Sequence, residues 1–209
     1  SGFVCNFTFN NEPLCIMAKL KNSKDLIMLL LHVPGATGEE NEPIAGQTRL
    51  MKMIFLFDKE IRPRFGKDAF EDMAFPEFEA YDYGPYAPKV YSDLEWLVNM
   101  GFVSAEDRNL SEVADEERKE FDYWTATGSA DDELDLSRLG RRFRLTELGA
   151  RFVGKMLPTW EFSVDQLKTL QEFKSRCVSA SLKALLHYTY TRYPETTTKS
   201  KIRKEVLGS

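Results

Sequence analysis

Residues that could act as nucleophiles, bases or metal ligands are few in this chain of 209 residues, and they lie far apart. Catalysis needs a nucleophile beside a base, a cluster of metal ligands, or paired carboxylates held in a cleft. The chain has two histidines, each within a helical pattern, and three cysteines without metal-type spacing: His32, His187, Cys5, Cys15 and Cys177. An odd number of scattered cysteines indicates a reducing compartment and no structural zinc. We therefore expect a cytoplasmic, non-enzymatic protein without a cofactor or a metal ion.

Carboxylates are plentiful, but many of them fall in a single polar segment. Residues 105–137 hold 12 Asp/Glu against three Lys/Arg, a net charge of −9. Within this acidic insertion only 121–127 has the composition of a strand. The rest is typical of surface loops, which cannot hold two carboxylates in a reactive geometry. The insertion therefore predicts acidic loops and no catalytic pair.

Side chains suited to binding another protein lie along a helix that is predicted over residues 88–100. Four side chains lie beside the buried stripe of this helix: Lys89, Asp93, Trp96 and Met100. Tyr86 lies just before the helix. Tryptophan and tyrosine are enriched at the hot spots of protein interfaces. We therefore predict that these five residues contact a partner protein. The sequence leaves an alternative equally open, in which carboxy-terminal helices cover this edge and Trp96 belongs to the core.

A turn with two prolines connects a predicted strand to this helix. Gly84 is expected to adopt a backbone angle that other residues resist and, with Pro85, to end the strand. Pro88 lies in the first helical turn, where its missing N–H costs no hydrogen bond, and Val90 begins the buried stripe. Tyr83 is expected to pack or hydrogen-bond locally. These residues would shape the binding site without touching the partner.

Hydrophobic periodicity and turn residues predict an α+β fold that is mostly α, with a winged-helix-like core. Helices are expected near 23–33, 47–60, 88–100 and 146–157, and two or three further helices near the carboxy terminus should pack on this core. Short strand-like segments are expected to pair into a small antiparallel wing: 78–82, 121–127 and 142–146. We divide the chain into an amino-terminal extension, a winged-helix-like domain and a helical extension: 1–16, 17–160 and 161–209. Met17 is typical of a natural start, so residues 1–16 are expected to lie upstream of it.

Three cations lie opposite the apolar face of the helix that is predicted over residues 47–60. They are Arg49, Lys52 and Lys59. A solvated face is the favoured interpretation of such a stripe, and a contact with phosphate or an acidic partner is the other one.

The basic carboxy-terminal part of the chain indicates a second possible class of partner. Residues 138–209 hold 15 Lys/Arg against six Asp/Glu, with two clusters formed by Arg138, Arg141, Arg142 and Arg144, and by Lys199, Lys201, Arg203 and Lys204. The favoured interpretation is an ion-pair match to the acidic insertion, within one chain or in a homodimer. The alternative is a transcriptional regulator that binds DNA through these cations. Phosphate contacts supply most non-specific DNA affinity. The helix over 88–100 has a net charge of −1, which would repel phosphate and so disfavours DNA binding through this helix.

Three segments of the chain carry a pattern that occurs in a known family. They are GQTRLMKMIFLFDKE (46–60), FEAYDYGPYAPKVY (78–91) and RFRLTELG (142–149). Together they resemble the Panacea domain of antitoxins and proteolytic adaptors, and the related YwgA-like proteins. The family pattern is Gly-x-x-Arg-Leu-x-Lys followed by Tyr-Gly-Pro-x-x-Pro-x-Val, and it is matched by Arg49, Leu50, Lys52, Tyr83, Gly84, Pro85, Pro88 and Val90. The resemblance implies a prokaryotic winged-helix-like protein that neutralises a toxin or presents a client protein. The acidic insertion and the carboxy-terminal helices depart from the family's pattern.

Overall fold

The computed structural model describes residues 19–66, 69–107 and 141–208. Its helices are α1 (Ser23–His32), α2 (Gln47–Leu56), α3 (Pro88–Asn99), α4 (Glu147–Met156), α5 (Val164–Ser179), α6 (Leu182–Arg192) and α7 (Arg203–Leu207). Its strands are β1 (Ile44–Ala45), β2 (Glu79–Tyr81), β3 (Gly84–Tyr86), β4 (Val103–Asp107) and β5 (Arg141–Leu145). The prediction of an α+β, mostly helical chain is confirmed. Within the described ranges, no helix is both long and apolar enough to cross a membrane.

Some predictions fall outside the described residues. They concern the extension over 1–16 with its start at Met17, the strand over 121–127, and three single side chains, Cys5, Cys15 and Arg138.

Helix α1 lies at the centre of the structure and begins with a side-chain cap. The side chain of Asn22 accepts a hydrogen bond of 3.0 Å from the backbone N–H of Asp25, so Asn22 is the N-cap. The leucines of α1 are buried, because α3, α4 and β5 pack around the helix. This packing fixes the positions of α3 and α4 relative to each other.

Strand β5 forms the middle of a three-stranded antiparallel sheet, between β1 and β4. Val103 of β4 pairs with Leu145 of β5, and both side chains are buried. Glu106 and Asp107, the first charged residues of the predicted acidic loop, belong to β4. The loop prediction was therefore wrong for the first residues of the insertion, which the sheet holds in an extended conformation.

The strand predicted over 78–82 is present as β2, but it does not pair with β5. It pairs antiparallel with β3 in a separate hairpin, with Tyr81 opposite Gly84 and Ala80 opposite Pro85. Gly84 has φ +83°, and this left-handed angle lets the chain reverse within two residues. Gly84 and Pro85 therefore form a second strand, and the prediction of one wing containing both β2 and β5 was wrong.

Helices α5 and α6 pack on α2, and α7 packs on α6. Helix α5 begins with a capping box in which Ser163 and Gln166 hydrogen-bond reciprocally. The short helix α7 has no side-chain cap, and Thr197, which precedes it, donates its hydroxyl to the carbonyl of Pro194.

The aromatic residues after α2 close one end of the core. A π-helical turn, Phe57–Ile61, continues α2 and places the ring of Phe57 at the centre of an aromatic cluster. Its ring contacts those of Phe65, Phe70, Phe75 and Phe173, with centroid distances between 5.5 and 6.3 Å. Phe65 and Phe70 are buried and Phe75 packs against the core, so the three rings close this end of it.

Alanine at Gly84 is expected to lower the free energy of unfolding by about 2 kcal/mol. An alanine at this position would be strained, because its φ would be left-handed. In addition, its Cβ would lie only 2.7 Å from Cε1 of Tyr190. Gly38 is the matched control, because it has φ +76° but no atom within 4 Å of a built Cβ, and Gly38→Ala should cost about 1 kcal/mol. Urea unfolding measures both losses. Equal losses would contradict the role given to the Tyr190 contact.

Candidate functional site

Helix α3 carries the largest aromatic side chain on an exposed edge of the described structure. Trp96 is 44% exposed, and Met100, one helical turn further along α3, is 52% exposed. Leu148 of α4 is 46% exposed and lies one turn before Phe152, whose ring contacts Phe102 beside Trp96. The described carboxy-terminal helices do not cover Trp96, so the alternative that makes it part of the core was wrong. We define the Trp96 surface as Trp96, Met100 and Leu148 together with Phe102.

The indole of Trp96 is held in place although its edge is exposed. The Nζ atom of Lys24 lies 5.1 Å from the ring centroid, and Phe102 stacks at 6.3 Å with an angle of 14° between the ring planes. Phe102 is fixed in turn by an edge-to-face contact of 5.4 Å with Phe152 of α4. Cation–π and aromatic contacts of this kind restrict the rotamer of a side chain before any partner arrives.

Asp93 lies beneath this surface and does not face outward. It is 4% exposed and forms ion pairs with Lys24 at 2.8 Å and Lys89 at 2.9 Å, while the hydroxyl of Ser23 donates to it. Burial acts to raise the pKa of Asp93, but hydrogen bonds from Lys24, Lys89 and Ser23 outweigh burial and lower this pKa. The prediction that Asp93 contacts a partner is therefore corrected, because Asp93 positions the two lysines beside Trp96.

Tyr86 lies on a different surface from Trp96. Its ring stacks on Tyr81 at 4.8 Å and meets Tyr91 of α3 edge-to-face at 5.4 Å. Tyr91 and Trp96 are five positions apart, which corresponds to about 140° around a helix of 3.6 residues per turn. Tyr86 therefore does not extend the Trp96 surface, and the predicted set of five residues divides between two faces of α3.

Most residues of the two family-like motifs are buried and support α3, whereas Tyr83 is half-buried and Pro88 is exposed. Arg49 donates to the carbonyl oxygens of Cys177 and Ala180, both at 2.6 Å, and so caps the end of α5. Lys52 is 2% exposed and donates to the carbonyl of Pro85 at 2.8 Å. The predicted solvated face of α2 was thus wrong for both residues, because α5, α6 and the hairpin cover it. Only Lys59, the third cation, remains exposed.

The remaining motif residues fix the hairpin and the start of α3. Tyr83 packs against the small apolar cluster between α6 and α7, and Leu50 and Val90 are fully buried. Pro88 occupies the first turn of α3, as predicted. The motif therefore shapes the position of α3 and leaves the exposed side chains to other residues.

Sequence reasoning did not identify Lys174 as a structural residue. Its buried ammonium donates to the carbonyl oxygens of Leu31, Val33 and Glu42, at 3.2, 2.7 and 2.6 Å. It therefore fixes the carboxy-terminal end of α1 and the loop that follows. The signal available in the sequence was the position of Lys174 next to Phe173 on the apolar face of α5.

Several of the predicted basic side chains already have acidic partners in the sheet and the hairpin. Arg141 pairs with Asp107 at 3.4 Å, and Arg144 pairs with Glu106 at 3.7 Å across β4 and β5. Lys201 pairs with Asp82 of the hairpin turn at 2.9 Å. The other described members of the two basic clusters are exposed or half-buried: Arg142, Lys199, Arg203 and Lys204.

The groups with catalytic potential are dispersed in the described parts of the chain. Burial raises the pKa of the Cys177 thiol to about 12, so this thiol stays protonated at neutral pH. His32 is buried with its Nδ1 atom 2.9 Å from Oδ1 of Asn41, whereas His187 is exposed on α6. No three His, Cys, Asp or Glu residues among those described lie close enough to hold a metal ion.

Comparison of the chain with protein-family models, with curated proteins and with solved structures finds no match in any of the three.

Between pH 7.5 and 9, the stability of the protein is expected to rise with pH because of Lys52. Burial lowers the pKa of Lys52 from 10.5 to about 7, so in this window the unfolded chain binds a proton that the folded chain does not. Lys52 alone should therefore add about 1 kcal/mol per pH unit to the free energy of unfolding. Lys174, whose pKa burial lowers to about 8, contributes in the same direction.

Methionine at position 52 keeps much of the shape of the lysine side chain, although it is one heavy atom shorter, and it cannot bind a proton. Urea unfolding of Lys52→Met at three pH values across the same window should give a shallower dependence of stability on pH. An unchanged dependence would mean that Lys52 stays charged in the folded protein.

Proposed function

We propose that this chain is a non-enzymatic protein-binding module, antitoxin-like or adaptor-like, which neutralises or presents a partner protein. The observation that carries the proposal is the state of Trp96, which is 44% exposed and yet held between Lys24 and Phe102. A large aromatic side chain that is fixed before binding loses little conformational entropy when a partner covers it. Such side chains are typical hot spots of protein interfaces.

The neighbours of Trp96 support a protein partner. Met100 and Leu148 are exposed beside it, and together they provide apolar area without a cluster of cations. The two nearby lysines, Lys24 and Lys89, share the buried carboxylate of Asp93, so the charge at this point is only +1. An apolar surface with a small net charge favours a protein interface over a phosphate backbone.

The order of elements is compatible with the family that the motifs resemble. Apart from the β2–β3 hairpin, which lies between α2 and α3, the elements run α1, β1, α2, α3, β4 and β5, and this is the order typical of a winged helix. In this arrangement α3 occupies the place of the presented helix. Lys52 donates to the carbonyl of Pro85 in the turn before α3, and Gly84, which lacks a Cβ, lets Tyr190 pack closely against this turn. The motif would then fix the angle at which Trp96 is presented.

A DNA-binding regulator is the second candidate, and the exposure of Arg142, Lys199 and Lys204 favours it. Three other cations of the same clusters already pair with carboxylates within the chain: Arg141, Arg144 and Lys201. Binding to duplex DNA that weakens steeply with salt would support this candidate, because phosphate contacts release counterions. Binding that is undetectable at low salt would remove it.

A photo-cross-linking amino acid at position 100, introduced in cells that produce the protein, tests the proposal. Position 164 on α5 is the matched control, because Val164 is apolar and even more exposed than Met100. We expect one protein to cross-link from position 100 and not from position 164. The same products from both positions, or none from position 100, would contradict the proposal.

A further inference from the structure

We propose that a second surface, formed by the β2–β3 hairpin and the opposite flank of α3, binds an arginine side chain of a partner protein. We call it the tyrosine face and define it as Tyr81, Tyr86, Tyr91, Glu79 and Glu95. It lies about 140° around α3 from the Trp96 surface. The inference does not depend on the Trp96 surface.

Three tyrosine rings form a continuous row on this face. Tyr81 and Tyr86 stack with their centroids 4.8 Å apart and their planes inclined by 28°, and Tyr91 meets Tyr86 at 5.4 Å. Tyr81, at the outer end of the row, is 47% exposed. The row is braced by the hairpin and by α3, and almost half of Tyr81, its outermost member, stays accessible to a ligand.

Two carboxylates flank the row of rings. Glu79 pairs with Tyr86 across the hairpin, and cross-strand neighbours place their side chains on the same face of a sheet. Glu95 follows Tyr91 by four positions, so it lies one helical turn further along the same side of α3. Both glutamates are exposed, and neither has an ion-pair partner among the residues that the structure describes.

The residues that define the tyrosine face carry a charge of −2, from Glu79 and Glu95. Lys89, on α3, is engaged by Asp93 on the other flank of the helix, and Lys201, on the tail, is engaged by Asp82 at the hairpin turn. A cation is therefore the charge that complements this face, and a phosphate or an acidic peptide would be repelled.

Among cationic ligands, arginine matches the combination of groups on this face best. Its guanidinium is planar and stacks on aromatic rings, and it donates to carboxylates through two parallel N–H groups. A lysine ammonium is a point charge that is more strongly hydrated, so it gains less from a stacked tyrosine row. The exposed face of Tyr81 beside Glu79 offers both contacts at once.

The test uses short peptides of defined sequence and needs no knowledge of the natural partner. The probe is acetyl-Gly-Arg-Gly-Arg-Gly-amide, titrated into the full chain while the ring resonances of the tyrosines are followed by NMR. The controls replace both arginines by lysine or by citrulline, which has almost the shape of arginine but no charge. We expect shifts at Tyr81, Tyr86 and Tyr91, with affinity about threefold weaker for lysine and about tenfold weaker for citrulline.

Two protein variants locate the binding site. Glu79→Gln combined with Glu95→Gln should weaken the arginine peptide about fivefold, whereas Asp165→Asn combined with Glu172→Gln, a matched pair of exposed carboxylates on α5, should leave it unchanged. Tyr81→Leu, which removes the accessible ring, should abolish the preference for arginine over lysine. Each of three outcomes would overturn the inference. These are equal affinities for the arginine and citrulline peptides, chemical-shift changes confined to Tyr188, and equal effects of the two pairs of carboxylate substitutions.

Discussion

Replacing Gly149 by alanine is expected to lower the free energy of unfolding by roughly 3 kcal/mol. Gly149 lies in the first turn of α4, where an added Cβ would be 2.1 Å from the carbonyl oxygen of Phe102. A backbone atom cannot rotate away as a side chain can. The two segments are also tied together, since Thr146 accepts from the N–H of Gly149 and donates to the carbonyl of Gly101 at 2.6 Å. Alanine must therefore push α4 away from the start of β4.

Gly154 provides the matched control on the same helix. It is exposed, and a Cβ built there meets no atom within 4 Å. Gly154→Ala should therefore stabilise the protein by about 0.5–1 kcal/mol, through helix propensity alone. Urea unfolding of both variants gives the comparison. A loss for Gly149→Ala no larger than the effect of Gly154→Ala would contradict the close packing of α4 against Phe102.

Trp96→Ala is expected to weaken binding of the partner protein by about 30-fold or more, which corresponds to at least 2 kcal/mol. The stability of the free protein should fall by only about 1 kcal/mol, because almost half of the side chain is exposed before binding. The two effects can therefore be separated. The measurement is isothermal titration of the purified variant with the protein captured by cross-linking from position 100.

Tyr188→Ala is the control for this variant. Tyr188 is an aromatic residue on α6 with an exposure of 46%, close to that of Trp96, but it lies away from the Trp96 surface. We expect its substitution to leave the affinity for the partner unchanged. Equal losses for Tyr188→Ala and Trp96→Ala would point to a general effect of removing exposed aromatic side chains.

The positions of the main helices could be predicted from the sequence because local signals determine them. Apolar spacing gave the four core helices within a few residues of their observed limits, and Asn22 and Ser163 provide the caps that such helices need. The special angle of Gly84 was also predictable, since glycine adopts a left-handed angle in a tight turn without the steric cost that a Cβ brings.

The environment of the charged residues could not be predicted in this way. Periodicity within α2 alone placed Arg49 and Lys52 on a solvated side, but helices more than 100 positions later and the hairpin cover that side. Long basic side chains tolerate this position because each donates to backbone carbonyls that would otherwise lack a partner. Asp93 was misjudged for a related reason, because its burial depends on Ser23 and Lys24 from α1.

The prediction of strand pairing was wrong because the sequence gives no information on which strands pair or in which register. The hairpin of β2 and β3 reverses at Asp82 and Tyr83, and the turn signal of Gly84 and Pro85 marks a break in the strand without showing that the chain folds back on β2. The division of the predicted contact residues between two faces of α3 follows from the same hairpin. It draws Tyr86 towards Tyr81 and Tyr91, and so away from Trp96.

Hydroxyl-radical footprinting of the protein with and without its captured partner tests the central claim most directly. Side chains covered by the partner oxidise more slowly, and Met73, at 79% exposed and outside the Trp96 surface, serves as an internal reference. We predict that Trp96, Met100 and Leu148 become protected together while Met73 and Tyr188 react at the same rate as before. Unchanged oxidation of Trp96 and Met100 in a complex that protects other residues would contradict the proposed binding surface.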